Sequence, residues 1–230
     1  MSIALITGAS RGLGRAAAQA LARRGWSLIV DARRADDLAG AMRGLAEVVT
    51  VPGDVTDPRH RADLAAAAGR AGGLDVLVNN ASRLGPSPQP LLRDYPLDEL
   101  GRVYDTNVVA PLALIQLLTA PLAAAAGTIV NVSSDAAVEA YPGWGGYGSA
   151  KAALDQLTAV LAAEEPSLHC YAFDPGDMRT DMHQQAFPGE DISDRPEPET
   201  VIPALLRLID ERPPSGRYRA SDLAVPAVTP

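Results

Sequence analysis

The sequence is short of cysteine, of lysine and of net positive charge, and each shortage narrows what the protein can be. A single cysteine, Cys170, cannot form an internal disulfide, so a reducing cytoplasm is the expected location. The formal net charge of −8 would repel a phosphate backbone, so no nucleic-acid partner is expected. No apolar run approaches the roughly 20 residues that cross a bilayer. The chain opens on the short apolar stretch SIALI with neither a basic leader nor a small-residue cleavage site, so neither a secretion signal nor a membrane partner is expected. His60 and His169 lack partners at metal-ligand spacing, which predicts no metal site. A G-x-S-x-G elbow and a P-loop are both missing, as is any repeat at the periods of solenoid proteins.

At 230 residues, 47 % of them hydrophobic, the chain fits a single domain, 1–230, with a large core. Apolar runs predict strands at 2–7, 27–30, 47–51, 74–79, 128–133, 168–173 and near 218–220. Helical periodicity predicts helices at 12–24, 36–46, 57–70, 97–105, 107–125 and 199–211, with another opening from the Gly-rich loop 143–148 and ending before Pro166. Asp57 and Pro58 form a helix-start signal. Strands that alternate with helices and read as continuous apolar runs imply a parallel sheet covered on both faces. Right-handed crossovers then give an α/β fold, a doubly wound Rossmann-type sheet of about seven strands.

Two segments carry chemistry. In TGASRGLG (7–14), Gly8, Gly12 and Gly14 let the backbone turn tightly between the first strand and the first helix. The helix N-terminus then offers N–H groups and a positive dipole end to a pyrophosphate. In YGSAK (147–151), residues i and i+4 share a helix face, so Tyr147 and Lys151 project side by side. Lys151 is the only lysine among 20 basic residues. A phenol relays protons poorly at its ordinary pKa of about 10. An ammonium roughly 4 Å away would favour the phenolate by about 4 kcal/mol at an effective dielectric near 20, lowering the pKa by up to about 3 before desolvation. Ser134, at the end of the fifth predicted strand, stands where an open parallel sheet places its ligand and can donate to a substrate oxygen. Ser133 competes for that role.

The spacing G-x-x-x-G-x-G, followed by NNAS (79–82), YGSAK and PGDMRT (175–180), resembles the short-chain dehydrogenase/reductase family over nearly the whole chain. The resemblance implies a nicotinamide dinucleotide cofactor held by Gly8, Ser10, Arg11, Gly12, Leu13 and Gly14, by Asp54 and Val55, and by Asn80 and Ala81. Pro175, Gly176, Met178 and Thr180 match the segment that holds the carboxamide, and Tyr147 and Lys151 also face the cofactor. Ser82 replaces the usual glycine. The family's NAD-selecting aspartate would fall at position 32, here Ala32; Arg33 follows it, and Arg11 can reach a 2′-phosphate from the other side, so NADP(H) is expected. Asp31 need not face the ribose, because neighbouring strand residues point to opposite faces.

The resemblance makes Asn107, Ser134, Tyr147 and Lys151 the catalytic residues of an enzyme that reduces a small carbonyl compound or oxidises the alcohol. Ser134 lies at the family's spacing of thirteen residues before Tyr147. Asn107 would hold a water connecting Lys151 to solvent, Tyr147 would pass the proton, and Asp135 is expected to point to solvent. Residues 177–198 fill the place of the family's substrate lid, and Met178, Met182, His183, Phe187, Tyr141, Pro142 and Trp144 are candidates to line the pocket. The equivalent helices of relatives form dimers or tetramers, so a homo-oligomer is expected. A catalytically silent NADP(H)-binding sensor or scaffold, and a dehydratase or epimerase on the same fold, are the alternatives.

Overall fold

Apolar side chains alternate across every central strand, and that alternation fixes the layers. Ala4 and Ile6 of strand β1 (Ile3–Ile6) enter one buried cluster, while Ile3 and Leu5 enter the other. The same split recurs in β2 (Ser27–Ala32) and β4 (Val76–Asn79), where Ile29 and Leu77 face away from their neighbours. A strand buried on both faces needs helices on both sides.

The computed structural model describes residues 1–223; the last seven residues of the predicted domain, 224–230, lie outside the described residues. Strands β1, β2, β3 (Val48–Pro52), β4, β5 (Thr128–Val132), β6 (His169–Asp174) and β7 (Gly216–Arg219) form one seven-stranded sheet in the order β3-β2-β1-β4-β5-β6-β7. All its pairings are parallel. Helices α1 (Gly12–Arg23), α2 (Ala35–Ala41) and, late in the chain, α8 (Ile202–Glu211) cover one face. The other is covered by α3 (Pro58–Ala71), α5 (Ala110–Ala124) and α6 (Gly145–Glu164). The strand order reverses between β1 and β4, which opens a crevice at the C-terminal ends of the strands, the usual ligand position in such sheets.

Local signals placed most elements. Asp57 caps α3 by accepting from the Arg59 N–H at 2.8 Å, with Pro58 in the first turn. Two readings need correction. The predicted helices 97–105 and 107–125 are one continuous helical stretch, in which α4 (Leu97–Tyr104) runs through a π-turn at Asp105–Val109 into α5. Residues 97–124 thus form a 28-residue helix that is long and apolar enough to cross a bilayer by length and composition only. One side of it, with Leu114, Ile115, Leu118 and Leu122, packs into the core. The Gly-rich loop is shorter than expected, because α6 already begins at Gly145. Residues 177–198, expected as the substrate lid, contain a short helix, α7 (Asp181–Ala186).

Candidate active site

A cleft of about 970 Å³ runs along the C-terminal edge of the sheet. At one end the chain turns after β1 through Gly8, whose φ of +67° suits glycine. A Cβ there would lie 3.0 Å from the Ala81 Cα, so two backbone segments meet closely. Asn80 braces the turn by donating from Nδ2 to the Thr7 and Gly8 carbonyls at 2.8 and 3.2 Å. Among the described residues no side chain caps the N-terminus of α1. Ser10, Arg11, Gly12 and Leu13 line this end of the cleft, as do Arg33, Asp54, Val55 and Ala81. Gly14 does not: its Cα packs inward, where a Cβ would come within 2.5 Å of Asn80 Nδ2 and the Gly8 carbonyl, so its part is close packing rather than contact with a ligand.

Asp31, at the edge of this end of the cleft, is almost fully buried and its carboxylate is engaged. One carboxylate oxygen accepts from the Gly8 N–H at 2.7 Å and the other meets His60 Nε2 at 3.0 Å. Burial raises its pKa against those two bonds. Gly53 leaves the room that His60 needs. Burial opposes ionisation of Asp54, but the Thr56 N–H and hydroxyl outweigh it and hold its pKa low. Arg34 is taken by Asp37 at 2.6 Å, and Arg11 reaches Asp181 of α7 at 2.8 Å in an exposed pair. An uncapped helix start, a glycine cradle against Ala81 and arginines on the rim fit a dinucleotide whose phosphates are anionic.

At the other end, the first two turns of α6 carry Tyr147 and Lys151, both buried. Lys151 Nζ donates to the Val132 carbonyl at 2.7 Å and lies 5.5 Å from the centre of the Tyr147 ring. Burial lowers its pKa to about 8, with Asp155 opposing. The expected lowering of the Tyr147 pKa is not found. Burial raises it, the Ser82 hydroxyl favours the phenolate, Asp174 and Asp135 oppose ionisation, and Ser134 assists. The ammonium is turned toward a carbonyl and is itself desolvated, so burial of the phenol outweighs it.

Ser134 follows β5 and extends into the cleft. Its hydroxyl donates to Asp135 Oδ1 at 3.0 Å and accepts from the Ala136 N–H. Asp135 therefore does not point to solvent; it lines the cleft and also takes the Tyr141 hydroxyl at 3.1 Å. The Ser133 hydroxyl is buried beside Asp155. Asn107 sits in the π-turn, fully buried and out of the cleft. Its Oδ1 accepts from the Arg83 N–H at 2.8 Å and the Ser82 hydroxyl at 3.1 Å, and its Nδ2 donates to the Arg83 carbonyl at 2.9 Å. Those three bonds occupy Oδ1 and one of the two Nδ2 hydrogens, and make Asn107 an anchor for the loop after β4. Ser82, noticed in the sequence only as a departure from glycine, is thereby held against Tyr147.

Pro175, Gly176, Met178 and Thr180 line the same wall, and α7 follows them with Thr180 as its cap. Trp144 stacks edge-on to Tyr147 at 5.9 Å and meets Phe187 at the same distance; His183 lies 4.8 Å from Phe187. With Met182 they form a largely aromatic wall beside the phenol. His183 packs against Phe187 and lines the cleft, with Nδ1 3.7 Å from Asp177 Oδ1 and, among the described residues, no hydrogen-bond partner for the buried Nε2.

The family model for short chain dehydrogenases matches residues 2–191. Mouse sepiapterin reductase is 35 % identical over 202 residues, covering 80 % of this chain and 77 % of its own. The Bacillus subtilis benzil reductase ((S)-benzoin forming) is 32 % identical over 189 residues, covering 79 % and 76 %. Among solved structures, the alcohol dehydrogenase from the archaeon Thermococcus sibiricus complexed with 5-hydroxy-NADP superposes with a TM-score of 0.84 at 27 % identity, over 95 % of each chain.

Proposed function

The chain belongs to the short-chain dehydrogenase/reductase family, and we propose that it reduces the carbonyl group of a small compound with NADPH, Tyr147 giving the proton. The observation that carries this is the buried phenol beside the Ser134 hydroxyl in the cleft. A phenol kept above its ordinary pKa stays protonated at neutral pH, the state required of a donor to a developing alkoxide. Ser134 can turn its hydroxyl from Asp135 to the carbonyl oxygen and polarise it. The reduced dinucleotide supplies, when bound, the hydride for the carbonyl carbon. Gly8, Gly12 and the start of α1 would hold its pyrophosphate, Lys151 its nicotinamide ribose, and Pro175 to Thr180 its carboxamide.

NADP(H) over NAD(H) is supported by Ala32 in place of an acidic acceptor, by Asp31 being taken up by Gly8 and His60, and by Arg33 on the rim. The aromatic wall suits a flat apolar body next to the carbonyl, in keeping with relatives named for sepiapterin and benzil. A panel of aliphatic and aryl ketones and aldehydes, followed by loss of NADPH absorbance, tests the reading. Turnover with at least one member and a preference for NADPH over NADH are expected; no turnover with any would reject it. The same reading includes a cytoplasmic location, supported by the single buried Cys170. It also includes a homo-oligomer, supported by the exposed Val109, Leu117 and Val160 along the π-turn, α5 and α6. A monomer mass by light scattering would remove the latter.

A further inference from the structure

Three charged side chains meet behind the catalytic group. Arg217, on β7, donates from Nη2 to the Ser134 carbonyl at 2.9 Å and to Asp174 Oδ2 at 2.9 Å, and from Nε to Asp155 Oδ2 at 3.0 Å. Asp174 ends β6 with a side chain only 4 % exposed, and its other oxygen accepts from the Gly176 N–H at 3.0 Å. Asp155 lies one turn beyond Lys151 on α6 and is also largely buried. Arg219 adds a second, longer contact to Asp174 at 3.7 Å.

A buried carboxylate beside a phenol that must ionise is an electrostatic obstacle. Asp174 and Asp135 both oppose ionisation of Tyr147, whereas Ser82 and Ser134 favour it and Lys151 stands on the same helix. Asp135 has the Ser134 and Tyr141 hydroxyls as partners, and Asp174 has Arg217 and Arg219. A guanidinium that bonds the Ser134 backbone and the Asp174 carboxylate through one nitrogen fixes the serine and offsets the carboxylate together.

We infer that Arg217 is a positioning residue of the reaction: it seats Ser134 and neutralises Asp174 behind Tyr147, so that the phenol can cycle between its two protonation states. This rests on the proposed role of Tyr147 as acid and base. Removing the guanidinium leaves Asp174 with only the longer Arg219 contact to offset it beside the phenol, whereas removing the carboxylate does the reverse. The two changes therefore act in opposite directions, which a merely structural role would not produce.

The test compares Arg217→Met, Asp174→Asn and the double variant with wild type, using the pH dependence of alcohol oxidation at saturating NADP⁺. The expected midpoint moves up by about one pH unit in Arg217→Met, down by about one in Asp174→Asn, and returns close to wild type in the double variant. Midpoints that fail to move, or that move the same way, overturn the inference. If Arg217→Met does not fold, Asp174→Asn carries the test, because Asn keeps an acceptor for the Gly176 N–H. A second readout needs no turnover: the tyrosinate absorbance of Tyr147, taken as the difference from Tyr147→Phe with NADP⁺ present. Ionisation at lower pH in Asp174→Asn than in wild type supports the inference even if no carbonyl is reduced, which would sink the proposed function alone. Indistinguishable curves overturn it.

Discussion

The two ends of the cleft are built on different physics. At the nucleotide end the work is done by backbone: a glycine turn, an uncapped helix start and an asparagine brace, with exposed arginines on the rim. At the catalytic end it is done by buried polar side chains, Tyr147, Lys151 and Asp174, whose charges are costly to hold out of water. Substitutions at the first end should therefore change how well the dinucleotide is held. Those at the second should change turnover, pH dependence and stability.

Ser134→Ala removes the hydroxyl that polarises the carbonyl oxygen, and kcat is expected to fall by about 10²- to 10³-fold with little change in KM for NADPH. A rise in KM with kcat unchanged would erase the contrast between the two ends. Arg33→Ala should raise KM for NADPH by about 10- to 100-fold while leaving NADH nearly untouched, the size of a lost charge-assisted bond. Steady-state kinetics with both dinucleotides measure it, and an equal loss for both would remove Arg33 from 2′-phosphate recognition.

Lys151→Met should abolish most activity yet stabilise the protein at pH 7 by about 1–3 kcal/mol, because a buried ammonium has been removed. The folded Lys151 pKa of about 8 lies below the ordinary 10.5, so the unfolded chain binds more protons between those values. Wild-type stability therefore gains on that of the variant as pH rises from about 8 to 10.5. Urea unfolding at several pH values checks the convergence. Ser82→Gly, which installs the glycine usual in the Asn-Asn-Ala-Gly motif, should lower kcat about 3- to 10-fold by loosening the hydroxyl held between Asn107 and Tyr147.

Much of the fold was legible because its signals are local: apolar runs for the strands, Asp57-Pro58 for a helix start, Tyr147 and Lys151 one turn apart. The π-turn at Asp105–Val109 had no such signal, since a five-residue hydrogen-bond step leaves no periodicity to read. The raised Tyr147 pKa was missed because burial is a tertiary quantity, and a spacing of four says nothing about which way an ammonium turns. Arg217 was invisible for a related reason. Its partners lie 43, 62 and 83 positions away, and in a chain with many arginines it reads as surface charge. Gly14 and Asn107 were assigned to the right region, but the structure turns both away from the cleft.

The most direct test uses NADPH deuterated at the nicotinamide C4, with a carbonyl substrate that the protein accepts, in wild type and Tyr147→Phe. Wild type should yield alcohol carrying the deuterium at the former carbonyl carbon, and Tyr147→Phe should form it about 10³-fold more slowly with NADPH binding intact. Product without deuterium, or a phenylalanine variant within a few-fold of wild type, would contradict proton delivery by Tyr147 beside a bound nicotinamide.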